Sequence, residues 1–169
     1  MRHSREPKAR KFAHVEICRP KAHHPVRGLV LVEQANIFDT HKYEGRTIPC
    51  DGPLLCAFCG HLAESQRIYL PLWCLDQKFR FLDLPITQWE RIRGFEEQFT
   101  TLLGIELIAK REKPKDNAAI ALHATDQWRL DHKPIKPFPE FLPHLNHILD
   151  GNLEFATERF FSAKTASAE

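Results

Sequence analysis

Arg67-Ile68-Tyr69-Leu70-Pro71-Leu72-Trp73-Cys74-Leu75-Asp76-Gln77-Lys78-Phe79-Arg80-Phe81-Leu82-Asp83-Leu84 carries the strongest strand signal in the chain. Ile68, Leu70, Leu72 and Cys74 recur at every second position, so they share one face, while Arg67, Tyr69 and Trp73 share the other. Asp76-Gln77 is turn-forming, and residues 78–84 read as the return strand, which predicts a β-hairpin over 67–84. Pro71 lacks a backbone donor, so the first strand is expected at a sheet edge or at a bulge.

Working outward, Leu29-Val30-Leu31-Val32 reads as a strand running towards Ile37-Phe38. Residues 39–66 show little apolar periodicity and read as an insertion that needs outside help to order. Beyond the hairpin, Thr87-Gln88-Trp89-Glu90 has the form of a capping box, with Ile86 as the preceding apolar residue. Trp89, Ile92, Phe95, Phe99, Leu102 and Leu103 then recur near helical period, and Gly104 is the expected stop. Residues 105–111 and 118–123 form a second predicted hairpin around a charged turn. Pro134, Pro137 and Pro139 mark a linker, followed by a helix over 140–149 that ends at Asp150-Gly151. A further helical stretch is expected around Phe155, Phe160 and Phe161.

About five strands with one helix before the last pair predict a mainly β fold with helices. The expected architecture is a small, partly open five-stranded Greek-key barrel of the oligonucleotide-binding type. Its parts are a basic arm over 1–25, a barrel domain over 26–125 with an insertion at 39–66, and a linker and helical segment over 126–169.

With 169 residues, 43% of them hydrophobic, the chain can bury one core. No run of about 18 apolar residues is present, so no membrane helix is expected. The start of the chain has no apolar segment of the secretory kind. Five cysteines, three of them clustered, fit a reducing compartment and a metal better than a disulfide framework, which points to the cytoplasm or nucleoid. Net charge is +2, but residues 1–27 hold eight Lys/Arg against two Glu. A basic arm on a mildly acidic body suits contact with a polyanion, and equally a solvated leader.

Cys50, Cys56 and Cys59 fall within ten residues, and the last two form a C-x-x-C knuckle. Such a turn points two thiolates at one ion, and thiolates plus imidazole suit Zn²⁺. Two histidines compete for the fourth position. His41 leaves enough chain before Cys50 to fold back, whereas His61 lies two residues past Cys59 and its ring must double back. His41 is therefore preferred, with His61 as the alternative. Cys18 and Cys74 read as core thiols. A catalytic zinc needs an open position and a base, and a deaminase needs His-x-Glu ahead of Pro-Cys-x-x-Cys. Leu55 stands where that proline belongs, and no His-x-Glu lies upstream. The zinc is thus expected to be structural and the protein not an enzyme.

Tyr69 and Trp73 share a strand face with Arg67, Lys78 and Arg80 follow on the partner strand, and Lys110, Arg111, Lys113 and Lys115 decorate the second hairpin. Aromatic faces for bases beside cations for phosphates are what a single strand requires. The competing reading is half-core aromatics and solvated lysines.

The order His41, Cys50, Cys56-x-x-Cys59, set between a first strand and an aromatic strand, resembles the zinc-bearing core of T-even phage single-stranded DNA-binding proteins. The resemblance spans about residues 24–125. It implies His41, Cys50, Cys56 and Cys59 as zinc ligands beside a DNA cleft, adds Arg46 to the strand-contacting residues by position, and implies self-association through the basic arm. The spacing around Cys50 is shorter than in that family, and residues 162–169 are not its strongly acidic tail. The leading expectation is a protein that coats single-stranded DNA, or RNA, in replication, recombination or a mobile-element process. The second is a zinc-stabilised protein-interaction subunit of a nucleic-acid-processing complex. The third is a small zinc nuclease or deaminase.

Overall fold

In a computed structural model of the chain, residues 15–115, 118–132, 138 and 141–166 are described. The part of the basic arm over 1–14 and the linker prolines Pro134, Pro137 and Pro139 lie outside them. The described chain is a mixed α/β structure built on an eight-stranded sheet. The strands are β1 (Glu16–Cys18), β2 (Val26–Val30), β3 (Asn36–Tyr43), β4 (Arg46–Pro49), β5 (Glu64–Cys74), β6 (Phe79–Pro85), β7 (Glu106–Arg111) and β8 (Ile120–Thr125). The helices are α1 (Trp89–Phe99), entered through a 3₁₀ turn at Ile86–Gln88, α2 (Gln127–Asp131) and α3 (Phe141–Ala166).

The quoted hairpin is β5–β6, with Tyr69 opposite Asp83 and Trp73 opposite Phe79. Its turn is closed by Cys74 N–H donating to the Lys78 carbonyl at 3.0 Å. Ile68, Leu70, Leu72 and Cys74 enter the main core, as their alternation requires. β5 is not an edge strand, however. On the side away from β6 it pairs first with β3, from Glu64 to Tyr69, and then with β2, from Leu72 to Cys74. Pro71 falls at this change of partner, where the ladder needs no donor, and its carbonyl accepts from Leu31 at 3.0 Å. Gly28 is required where β2 crosses β5, because a Cβ there would meet the Trp73 carbonyl oxygen at 2.8 Å.

The sheet runs β1-β6-β5-β2-β7-β8 and is not closed into a barrel, so the expected five-stranded barrel is corrected to an open, eight-stranded sheet. The edge of β6 that closure would give to β8 is taken by β1, and helix α1 packs against the core. Its Ile92 and Phe95 join the core, and Arg91 donates to the Leu122 carbonyl of β8 at 3.0 Å. Glu96, 9% exposed, accepts from Ala35 N–H and from Arg93, tying the β2–β3 connection to the helix. The capping box does not form. Residues 86–88 are already helical in the 3₁₀ turn, and no side chain caps either start. The helix ends at Phe99, before the expected Gly104, with Thr100 at φ 72°. Arg129 of α2 serves its end by donating to the carbonyls of Phe99 and Thr101.

Two further corrections concern the periphery. Residues 39–49 are not part of an irregular insertion: β3 and β4 form a regular hairpin through Glu44-Gly45, whose φ values of 46° and 75° suit a two-residue primed turn. Only 50–63 lacks regular structure. Likewise α3 does not stop at Asp150-Gly151. A glycine inside a helix costs about 1 kcal/mol, and the stripe Leu145, Leu149, Ala156, all at most 1% exposed, outweighs it by packing on the sheet and on Phe58. In this way α3, placed by the sequence in a separate segment over 126–169, shares two hydrophobic clusters with the residues of 26–125.

Of the basic arm, residues 16–18 are a strand, β1, parallel to β6. It is locked by Asp83, which is fully buried and accepts from Arg19 Nε at 2.7 Å and Arg67 Nε at 2.6 Å. Arg19 also donates to the Thr47 hydroxyl at 2.9 Å. Removing the carboxylate strands two arginines, so Asp83→Ala is expected to destabilise the fold by about 3 kcal/mol or more. A urea midpoint equal to that of the parent protein would refute this assignment.

Candidate metal centre and the uncovered sheet face

His41 lies on β3 between its partners Ile48 of β4 and Glu64 of β5, and is fully buried. Cys50 follows β4 directly, with its N–H donating to the Asp39 carbonyl at 3.0 Å. The chain then turns twice. Cys56 N–H returns to the Gly52 carbonyl at 2.9 Å, and His61 and Leu62 N–H both return to Phe58 at 3.0 Å. These turns bring Cys56 and Cys59 back over β3.

The ligand atoms of His41, Cys50, Cys56 and Cys59 all lie within 4.8 Å of one another. Cys50 Sγ is 3.5 Å from Cys59 Sγ, and His41 Nε2 is 3.3 Å from Cys56 Sγ and 3.6 Å from Cys59 Sγ. Zinc–sulfur bonds of about 2.3 Å in a tetrahedron require edges of about 3.8 Å, so these spacings fit one ion. The second ring nitrogen, Nδ1, is 3.2 Å from the Ala63 carbonyl. Nδ1–H therefore donates there, which leaves the Nε2 lone pair facing the sulfurs. The four residues can hold a metal, and their chemistry is compatible with zinc. The geometry takes His41 over His61, whose ring instead lies 5.9 Å from that of Phe160 on α3.

The knuckle is also bound to α3. Phe58, fully buried between the cysteines, packs its ring 5.5 Å from both Phe160 and Phe161. Tyr43 meets Phe160 edge-on at 5.7 Å, and Asn152 donates to the Thr47 carbonyl at 2.9 Å. Cys18 and Cys74 belong to the main core, as read from the sequence. Burial, reinforced by Cys74, pushes the Cys18 thiol up to about 12, and burial also raises Cys74.

The proposed strand-contacting residues do not form one surface. Tyr69 is fully buried beneath α3, with Phe81, Phe141 and Leu145, and its ring meets Phe38 edge-on at 5.5 Å. It presents no face to a base. Burial, then Asp83, holds its phenol well above the usual range. Arg80 lies across from Leu72, on the face opposite Trp73, and spends both terminal nitrogens on Asp76 at 2.8 and 2.6 Å. That pair holds Asp76 below the usual carboxylate range. Arg67 is committed through Nε to Asp83. Arg46 stacks over the Phe155 ring at 3.7 Å. Arg111, on the core side of β7, donates to the carbonyls of Pro20 and Ala118. Lys113 and Lys115 are exposed in the β7–β8 turn, and Lys78 in the β5–β6 turn.

Trp73 and Lys110 do share a face. Helix α3 covers the outer side of the sheet over β3, β5 and β6 but leaves β2, β7 and β8 uncovered by a described helix. Register places Trp73 beside Phe79 and Leu29, then Arg27 beside Ile108 and His123, and Lys110 beside Ala121, all on that outer side. Trp73 is half-buried, with its ring 4.6 Å from Phe79, which stacks at 5.0 Å on Phe138. Arg27, Lys110 and His123 are exposed, with Glu106 pairing Arg27 at 2.8 Å. Sequence reading missed Phe79, Arg27 and His123. Phe79 was recoverable from the hairpin register, but the other two depend on the long-range β2–β7 pairing, for which no local signal exists.

No helix among the described residues is long and apolar enough to cross a membrane. No family model, curated protein or solved structure matches the chain.

Proposed function

We propose that the protein is a non-enzymatic binder of single-stranded nucleic acid, DNA in the first instance, with a structural zinc at His41, Cys50, Cys56 and Cys59. One observation carries the reading: the half of the sheet that no described helix covers sets the Trp73–Phe79–Phe138 aromatic series beside Arg27, Lys110 and His123. Aromatic rings there supply stacking platforms of no base preference, and Arg27 and Lys110 follow a phosphate backbone. Strand order gives further support. The run β6-β5-β2-β7-β8 with a helix between β6 and β7 matches the strand order of an oligonucleotide-binding barrel, left open here with β1 on the edge of β6. The same strand order supports the likeness to the zinc-bearing phage proteins. Four protein ligands complete a tetrahedral zinc and leave no position for a reacting water, which favours a structural over a catalytic role.

The test is anisotropy of a labelled oligothymidylate and of a duplex of equal length. Single strands are expected to bind more tightly, and affinity to fall about tenfold or more between 50 and 200 mM salt. Absence of binding, or binding indifferent to salt, overturns the reading. A second reading, a protein-interaction subunit, is favoured by one feature: Leu54 and Leu55, at the tip of the metal loop, are 97% and 82% exposed. It expects a stable protein partner lost on Leu54→Asp and no affinity for single strands.

A further inference from the structure

Where β5 begins, β6 ends and the β7–β8 hairpin turns back, the structure contains a pocket of about 250 Å³. Its polar lining is Arg67 from β5, Arg111 from β7, and Thr87 and Gln88 from the 3₁₀ turn, over an apolar floor that includes Pro85 and Ile120. It is separate from the Trp73 face. Arg67 and Trp73 lie six residues apart on β5, or about 20 Å at about 3.3 Å per residue.

The pocket is rich in donors. Arg67 binds Asp83 through Nε alone, and no other described residue accepts from its two terminal nitrogens, which are not closed off from solvent. Arg111 anchors to the Pro20 and Ala118 carbonyls, so its guanidinium is held in place at the rim. No carboxylate is among the described lining residues, and Asp83, which binds Arg67, is shared with Arg19, leaving that trio with one positive charge. Gln88 and Thr87 add an amide and a hydroxyl. The donor-bearing side chains come from two strands and a turn. A tetrahedral oxyanion with acceptors in several directions satisfies such an array better than a planar carboxylate, which takes a single fork. The volume lies below the range of about 300–1,000 Å³ typical of drug-sized ligands, which suits a phosphoryl group with little attached.

We propose that this pocket is a phosphate-binding site, taking the phosphoryl group of a small phosphate or of a nucleic-acid strand. Arg67 and Arg111 neutralise the charge, while Thr87 and Gln88 fix its orientation. The site does not depend on the Trp73 face.

The test uses the full chain with inorganic phosphate, followed by ³¹P line broadening and by titration calorimetry at low ionic strength. Saturable binding of phosphate is expected, weakened by about tenfold or more in Gln88→Glu, which places a carboxylate among the donors without touching the Asp83 network. Thr87→Glu, on an exposed turn residue, provides a second variant should the first fail to fold. Trp73→Ala is expected to keep phosphate binding unchanged. A further arm compares oligothymidylates with and without a 5′-phosphate. Tighter binding of the phosphorylated strand assigns the site to strand ends, and equal binding that falls in Gln88→Glu assigns it to the backbone; either supports a phosphoryl site. No saturable phosphate binding by the parent protein, or folded Gln88→Glu and Thr87→Glu proteins that bind as the parent does, overturns the proposal. Loss of single-strand binding with phosphate binding intact instead counts against the reading of the sheet face alone.

Discussion

Stripping the metal with a chelator, or replacing Cys59 by Ser, will unlock residues 50–63 and loosen the C-terminal half of α3 while the central sheet persists. Residues 50–63 form neither strand nor helix and bury one large side chain completely, Phe58. Burying a phenylalanine is worth about 2–3 kcal/mol, whereas ordering each residue's backbone costs about 1–2 kcal/mol. The segment cannot hold its shape on that balance. A zinc held by His41, Cys50, Cys56 and Cys59 would supply about 10–16 kcal/mol at neutral pH and reverse it. Once the knuckle opens, Phe58 leaves Phe160 and Phe161, and Ile48 and Ala156 lose their shared neighbour. The first half of α3 keeps Leu145 and Leu149 against Phe81 and Tyr69. Hydrogen exchange should therefore accelerate over 50–63 and 153–162 but not over β5 and β6, and metal analysis of the untreated protein should give one zinc per chain. Phe58→Ala separates the two roles: it should cost about 3–5 kcal/mol and release α3 while zinc stays bound. Uniform exchange with and without chelator would remove the metal from the account of this fold.

What could be read from the residues follows their range of interaction. The β5–β6 hairpin and the core side of β5 follow from period-two alternation and a four-residue turn, both local. The ligand set was nearly as legible, because C-x-x-C confines two donors to one turn. Only the fourth ligand needed the fold, and it was β3 pairing with both β4 and β5 that buried His41 over the sulfurs. The failures were tertiary. Alternation put Tyr69 on the face away from the core correctly, but it could not say that α3 buries that face at Tyr69 while Trp73 stays half-buried. The same helix made Asp150-Gly151 a false stop, since packing outweighed propensity. Lys78 and Arg80 were expected to join the aromatic face from the partner strand, yet register turned Arg80 to the opposite side, where Asp76 claims it. Barrel closure failed for a related reason: β1, only three residues long, takes the edge of β6 that β8 would have to reach.

Trp73→Ala will weaken single-strand binding by about tenfold or more, and will do so at every salt concentration alike. Each base stacked on an aromatic ring is worth about 1–3 kcal/mol, and stacking releases no counterions. The plot of log affinity against log salt should drop without changing slope. Lys110→Gln is the complementary case. Lys110 is exposed on the same face, with no acidic partner among the described ion pairs, so its loss removes one phosphate contact. Its slope should flatten by about 0.7 for a single strand, with a smaller change in affinity at high salt. Arg27 offers an internal check. Glu106 already pairs with it at 2.8 Å, so Glu106→Gln should free the guanidinium and strengthen binding at low salt. Because Trp73 also packs on Phe79, folding must be measured beside affinity, and Trp73→Phe should restore much of the binding that Trp73→Ala loses, since a ring remains to stack. A purely structural Trp73 would lower the melting temperature in Trp73→Ala yet leave the affinity of the folded fraction untouched. That outcome, with unchanged slopes in Lys110→Gln and Glu106→Gln, would move the binding surface off this face and give the exposed Leu54–Leu55 tip first claim on a partner.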